Sequence, residues 1–355
     1  MSGHHSLPML SERQDELSKC AFCPKLCRAT CVVSEQEPRE AVTPWGKMTS
    51  AYDAARSGVL GAEHAALAWA CSNCFRCREA CDHRNPVTET LNDARADYVS
   101  RGQAPPAVRE LLERREAIEA KHGGAVLKLE SEAGVARRSK HALLLGCRYA
   151  KQLPNEARTA IRLASALVGP VRLLVGCCGN WQRAAGAAGA ADAARQRLGQ
   201  ELGSARLLVL DARCAVELGE LSPVTLVELA ARHQQRFVAA PNGARYRYHD
   251  SCALGRGLGL YEQPRQLLRR VLGEPPAELK QSRELARCSG AGGLLPVSMP
   301  DVAQSAATRL VREHAELGGG VLVTSCASSL THLRSTGAEV ADLISVLSRG
   351  LASDG

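Results

Sequence analysis

Eight of the fifteen cysteines fall in two tight runs, CAFCPKLCRATC and CSNCFRCREAC. The first places Cys20, Cys23, Cys27 and Cys31; the second places Cys71, Cys74, Cys77 and Cys81. Thiolates are the ligands of zinc and of iron–sulfur clusters, so spacing must decide between them. The second run leaves two, two and three residues between successive cysteines. That spacing lets three cysteines wrap one cubane cluster while the fourth reaches across to a second. Applied to both runs, it predicts Cys20, Cys23, Cys27 and Cys81 around one cluster. Cys71, Cys74, Cys77 and Cys31 then surround the other. Structural zinc more commonly uses separated C-x-x-C pairs, so four close cysteines, twice over, favour two 4Fe-4S clusters. The first run departs in having three residues between Cys23 and Cys27, and Val32 and Asp82 follow the fourth cysteines where proline is usual.

The other seven cysteines are Cys147, Cys177, Cys178, Cys214, Cys252, Cys288 and Cys326. Several close a short apolar run: HALLLGC, VRLLVGCCG and ARLLVLDARC. Ligand sites gather at the carboxyl ends of parallel strands, which is where these residues fall if the runs are strands. The pattern repeats. Cys147 and Cys252 are 105 positions apart, Cys177 and Cys288 are 111 apart, and Cys214 and Cys326 are 112 apart. GCCGNW is echoed by RCSGAGG, and VLDARC by LVTSC. Both glycine-rich loops would open helices, yet neither has the spacing of a Walker or dinucleotide phosphate cradle.

These sites need two kinds of scaffold. Between the two tight runs, MTSAYDAARSGVL and AEHAALAWACSNC have helical apolar spacing and no strand signal. The second half alternates strand-like runs with helical stretches such as EARTAIRLASALVG and the Ala-rich Gln182–Leu202, which argues for parallel α/β units. Between the halves runs a charged, helix-prone stretch, Pro105 to Lys140, opening with Pro105-Pro106 and interrupted by Gly123-Gly124. The fold class is therefore α+β multidomain: an all-helical two-cluster ferredoxin domain, then a duplicated α/β (Rossmann-like) cysteine-rich domain. The expected boundaries are 1–105, a helical linker 106–138, a first cysteine-rich domain 139–240 and a second, degenerate one 241–355.

From Cys20 to about Leu347 this order of motifs resembles the heterodisulfide reductase family. That family includes the iron–sulfur subunits of glycolate, lactate and anaerobic glycerol-3-phosphate dehydrogenases. Its cysteine-rich "CCG" domains carry a lone cysteine, a CC pair and a C-x-x-C pair. The resemblance implies that Cys147, Cys177, Cys178 and Cys214 hold a third cluster, with Glu217 where a fifth thiolate would stand. In the second repeat Cys252, Cys288 and Cys326 remain, and Ser289 and Ser329 occupy the positions of further cysteines. Three thiolates make this a weak site. His249, in YHDSC, matches a histidine usual in the family. It reads either as a group tuning Cys252 or as a histidine hydrogen-bonded under a strand end. His83, after Cys81, reads either as a group tuning a cluster or, in preference, as a solvent-facing residue.

Composition limits the alternatives. The 355 residues are 45% hydrophobic and 23% charged, an ordinary globular balance with only 3% aromatics. The net charge is +8. The basic residues are scattered, as in Arg109–Arg115 with interleaved glutamates, without the basic and aromatic runs of a nucleic-acid surface. MSGHHSLPML has no leader pattern, and no apolar stretch approaches the ~18 residues of a membrane span. Dense cysteine in a chain long enough to bury a core points to the cytoplasm and to metal or redox chemistry.

The expectation is an iron–sulfur electron-transfer subunit, an oxidoreductase component rather than a stand-alone enzyme. The family implies a flavin-dependent dehydrogenase or other redox subunit as partner, with peripheral membrane association through that partner. Two alternatives stand beside it: a disulfide or heterodisulfide reductase acting at the first cysteine-rich domain, and a zinc-stabilised interaction protein.

Overall fold

The computed structural model describes residues 7–352. Residues 1–6, on which the expectation about a leader rests in part, lie outside the described residues. The architecture is α+β and multidomain. The chain forms two compact units.

The first unit comprises the chain up to Arg115 together with Trp181–Ala191 and Arg287–Leu310. Among its described residues there is no strand. Helix Pro44–Ser57 starts with proline at its first position and a Thr43 cap, whose hydroxyl accepts from Gly46 N at 3.0 Å. It ends on Gly58 in the left-handed region. Helix Val87–Ser100 buries Val87, Leu91, Ala94 and Tyr98, one stripe at helical spacing. These pack with Leu10, Leu17, Met48, Trp69 and Val108 into a single core.

Two local readings of the sequence differ from the structure here. AEHAALAWACSNC is helical only over Ala62–Ala66 and the 3-10 turn Leu67–Trp69. Residues 71–75 form a loop, with Asn73 and Phe75 at φ 53° and 61°. Alanine content gave the helical signal, but three cysteines that must face one volume impose a loop. The Ala-rich stretch Gln182–Leu202 breaks at Gly186 into helices Asn180–Ala185 and Ala188–Leu202. A Cβ on Gly186 would lie 2.5 Å from the Arg95 carbonyl oxygen, and its φ is +89°.

The second unit holds two four-stranded parallel sheets. The first contains β1 (His141–Leu144), β2 (Arg172–Leu173), β3 (Arg206–Val209) and β4 (Val224–Thr225), in the order β2-β1-β3-β4. The second contains β5 (Tyr246–His249), β6 (Ala277–Glu278), β7 (Val321–Thr324) and β8 (Val340–Asp342), in the order β6-β5-β7-β8. The central pairs run in register from His141↔Arg206 to Leu144↔Val209 and from Tyr246↔Val321 to His249↔Thr324. Strands buried on both faces read as the continuous apolar runs seen in the sequence. Ala142, Leu144, Leu174, Leu198, Leu207, Val209 and Leu218 form the core behind the first sheet. Helix Arg115–Ala133 runs straight through Gly123-Gly124. Those glycines cost about 1 kcal/mol each in a helix interior, which burial of His122, Val126 and Leu129 on the same helix offsets. Among the described residues no helix is long and apolar enough to cross a membrane.

Candidate metal centres

The two tight cysteine runs converge in the first unit. Cys20 ends helix Gln14–Ala21, and Cys27 lies in the 3-10 turn Leu26–Thr30. Cys20, Cys23, Cys27 and Cys81 line one cavity of about 130 Å³, together with Cys77 and Trp45. Cys81 therefore stands with the first run although it belongs to the second. Burial pushes the Cys20 thiol up to about 12 and the Cys27 thiol up to about 11, with the other sulfurs of the group adding to the shift. Such thiols ionise when a metal takes the proton's place. Asn85 donates Nδ2–H to Cys20 Sγ at 2.9 Å.

The reciprocal crossing is present as well. Cys31 precedes helix Val32–Gln36, and Lys47 donates its Nζ to Cys31 Sγ at 3.5 Å. Lys47 is 2% exposed, and the groups that act most on its charge are the sulfurs of Cys31, Cys71 and Cys77. So Cys31 of the first run shares its surroundings with the second run. Burial works against the Lys47 charge, and the three sulfurs outweigh it, so the amine is held above the usual lysine value. Burial pushes the Cys77 thiol well up and raises Cys71, where Lys47 and Arg95 oppose it. Arg95 is fully buried, donating to the carbonyls of Ala68, Cys71 and Ala184 at 3.0 Å each. The donor set fits two cubane clusters: Cys20, Cys23, Cys27 and Cys81 line one cavity, and Cys31, Cys71 and Cys74 all act on Cys77. Among the described residues no three Cys, His, Asp or Glu side chains are grouped to hold a single metal ion.

The segment after Cys288 clamps the second run. Cys288 belongs to the first unit, where its Sγ donates to Ser72 Oγ at 3.5 Å. A Cβ on Gly292 would lie 2.4 Å from the Ser72 oxygen, and one on Gly293 would lie 2.2 Å from the Cys71 oxygen. The glycines of RCSGAGG thus serve close backbone approach to a cysteine loop.

In the second unit, Cys147, Cys177, Cys178 and Cys214 come together at the carboxyl ends of β1, β2 and β3. Cys147 opens helix Cys147–Gln152, Cys177 and Cys178 precede helix Asn180–Ala185, and Cys214 lies in helix Ala212–Glu217. Cys147 Sγ and Cys177 Sγ are 3.5 Å apart. Cys178 bonds to both Cys177 and Cys214, so the four sulfurs form a continuous chain. A Cβ on Gly146 would lie 2.9 Å from Asp211 Cβ and 3.5 Å from Cys214 Sγ, so glycine is what lets β1 and β3 bring their cysteines this close. The thiols of Cys147 and Cys178 and the Gly179 N–H all point at Cys177, drawing its proton affinity far below the usual thiol value. The first repeat thus gathers its hydrogen bonds on one sulfur, that of Cys177. Glu201 holds the loop ahead of it by accepting from Val175 N and Gly176 N at 2.7 and 2.9 Å. Glu217 lies 3.9 Å from Arg195 at the end of its helix.

The second repeat divides differently. Cys252 follows β5 and Cys326 follows β7, both in the second unit, whereas Cys288 is in the first. Arg213 donates to Cys252 Sγ at 3.4 Å. Ser329, on the helix that Cys326 caps, hydrogen-bonds that sulfur. His249 is buried at the end of β5 with Nδ1 3.3 Å from Thr324 Oγ1 of β7, the hydrogen-bonded arrangement under a strand end. His83 is exposed, and it also lines the cavity shared by Cys20, Cys23, Cys27 and Cys81.

Sequence reasoning missed Lys47, Asn85, Arg95, Arg213 and the close approach of Gly292 and Gly293. One signal for Lys47 was available. It shares a helical stripe with Ala51 and Ala54, all buried, and a lysine on an apolar stripe needs an anion.

Residues 16–85 match the 4Fe-4S dicluster domain family, and residues 246–334 match the cysteine-rich CCG domain family. The cysteine-rich match falls on the repeat with fewer cysteines. Over 79 residues the chain is 38% identical to one subunit of the dihydromethanophenazine:CoB–CoM heterodisulfide reductase of Methanosarcina acetivorans. That stretch is 22% of this chain and 19% of the relative. Over 283 residues it is 22% identical to one subunit of the CoM/CoB fumarate reductase of Methanothermobacter marburgensis, covering 75% of this chain and 56% of that one. Over 53 residues, 15% of this chain and 7% of the relative, it is 45% identical to the EtfAB:quinone oxidoreductase of Syntrophomonas wolfei. The chain thus matches less than two thirds of the length of each of these relatives.

Proposed function

We propose that this chain, which joins a 4Fe-4S dicluster domain to a cysteine-rich domain, is the iron–sulfur electron-transfer subunit of a redox complex. The observation that supports the reading is where the fourth cysteine of each run lies. Cys81 lines a cavity with Cys20, Cys23 and Cys27, and Cys31 shares the buried Lys47 with Cys71 and Cys77. Bacterial two-cluster sites are built in that way. Cys20, Cys23, Cys27 and Cys81 would hold one cluster, and Cys71, Cys74, Cys77 and Cys31 the other. Cys147, Cys177, Cys178 and Cys214 would hold a third. Such clusters supply one-electron transfer.

Two of the relatives carry names that make them subunits of reductases, which supports a partner subunit. We take that partner to be a flavin-dependent dehydrogenase, with any membrane contact made through it and the chain itself in the reducing cytoplasm. The shared strand order of the two sheets, with cysteines following β1 and β3 in one and β5 and β7 in the other, supports a duplicated Rossmann-like unit. The division 1–105, 106–138, 139–240 and 241–355 is our proposal for its parts.

The test exchanges single cysteines in anaerobically purified protein. Cys81→Ser should remove the same electron paramagnetic resonance signal as Cys23→Ser, and Cys31→Ser the same signal as Cys74→Ser. If Cys81→Ser instead matches Cys74→Ser, each run binds its own metal and the two-cluster reading fails.

A further inference from the structure

The two cysteine groups of the first unit differ in the charge that burial places beside them. Lys47 donates its Nζ to Cys31 Sγ at 3.5 Å and is 2% exposed. Arg95 has no exposure at all and donates to the Cys71 carbonyl oxygen at 3.0 Å. Among the described residues neither is ion-paired with a carboxylate: Lys47 bonds only to sulfur, and Arg95 bonds to three carbonyls and to Asn92 Oδ1. A third buried cation nearby, Arg76, is neutralised by Glu35 at 3.2 Å.

Among the described residues no such buried cation bonds a sulfur of the other group. Its sulfur contact is the neutral amide of Asn85 at 2.9 Å from Cys20 Sγ. The lysines around its cavity are in solvent or paired. Lys19 is exposed and paired with Asp15, and Lys25 lies 3.5 Å from Glu40 and over the Trp45 ring. Solvent and counter-charge screen these, whereas a buried, unpaired cation acts through a medium of low dielectric constant. A cluster's potential follows its net charge, the hydrogen bonds to its sulfurs and its exposure. A fixed cation favours the reduced state, which carries one more negative charge.

This inference rests on the two-cluster reading. We propose that Lys47 and Arg95 are positioning residues that hold the Cys31/Cys71/Cys74/Cys77 cluster at a higher reduction potential than the Cys20/Cys23/Cys27/Cys81 cluster, making the former the electron-accepting end of the pair. One electron passes from the lower-potential group to the higher, supplied by a one-electron donor such as a reduced flavin, and no bond or proton changes hands.

The experiment is an anaerobic redox titration of the full chain followed by electron paramagnetic resonance. Cys23→Ser leaves the cation-flanked cluster to titrate alone, and Cys74→Ser leaves the other. The midpoint that remains in Cys23→Ser should be the higher. Lys47→Met should shift the upper midpoint downward with the lower one in place, and Lys47→Arg should restore it. The single-cluster variants decide the order even if Lys47→Met does not fold. A chain with both clusters present, whose midpoints stand in the opposite order or whose upper midpoint ignores Lys47→Met, overturns this proposal and leaves the cluster assignment standing. A chain without iron overturns both.

Discussion

Arg213 Nη2 lies 3.4 Å from Cys252 Sγ, joining a residue of the first repeat to a cysteine of the second. Cys326 and Asp211 also act on this guanidinium. A buried cation stands beside these thiols, and of the second repeat's cysteines this unit contributes Cys252 and Cys326. In the first repeat, by contrast, four sulfurs form one chain of contacts.

Iron content should therefore respond unequally to substitution. Cys178→Ser should cost about four irons, one cubane cluster's worth, while sparing the ferredoxin-type signals. Cys326→Ser should cost none. Iron analysis and low-temperature spectra of the two variants check this; equal losses would contradict it.

Gly293 has φ +61°, and a Cβ there would lie 2.2 Å from the Cys71 oxygen. Gly293→Ala should cost more than about 1 kcal/mol through backbone strain alone. It should also displace the loop carrying Cys71 and Cys74. Selective loss of the second ferredoxin-type signal, with the first retained, is the expected spectrum. Gly319, also at positive φ but with nothing near its Cβ position, is the control that should keep both.

Asp342 accepts from Ile344 N and Ser345 N, and Tyr149 O–H donates to it at 2.6 Å. Burial nevertheless raises its carboxyl from 3.8 to about 6. A raised folded-state value means the folded chain holds the proton more tightly than the unfolded one. Its contribution is present below about pH 4 and is lost as pH rises through about 6, amounting to at most about 3 kcal/mol. Asp342→Asn keeps the cap and removes the ionisation. Relative to the parent chain, the variant should gain stability between pH 4.5 and 7.5 in urea unfolding. A difference independent of pH would show that Asp342 does not titrate there.

The cysteine runs were legible because a cubane cluster constrains spacing along the chain. The strand–helix alternation was legible because strands buried on both faces must be continuously apolar, as in HALLL and VRLLV. What encloses the clusters was not legible, since it depends on residues brought together from afar. Arg95 reads as an ordinary helix-surface arginine until Ala68, Cys71 and Ala184 present their carbonyls to it. The glycines of RCSGAGG match no phosphate-cradle spacing, and only their distance to Cys71 and Ser72 gives their role. Composition misled over ACSNC, where alanine predicts a helix and ligand geometry forbids one. It also misled at Gly123-Gly124, where burial of one helix face overrides two weak positions.

Metal analysis of the full chain, purified without oxygen, tests the central claim most directly. The account predicts a brown protein with broad absorption near 400 nm, carrying about eight irons from the two ferredoxin-type sites and about four more from the first cysteine-rich repeat. A colourless protein containing zinc and no iron would contradict it.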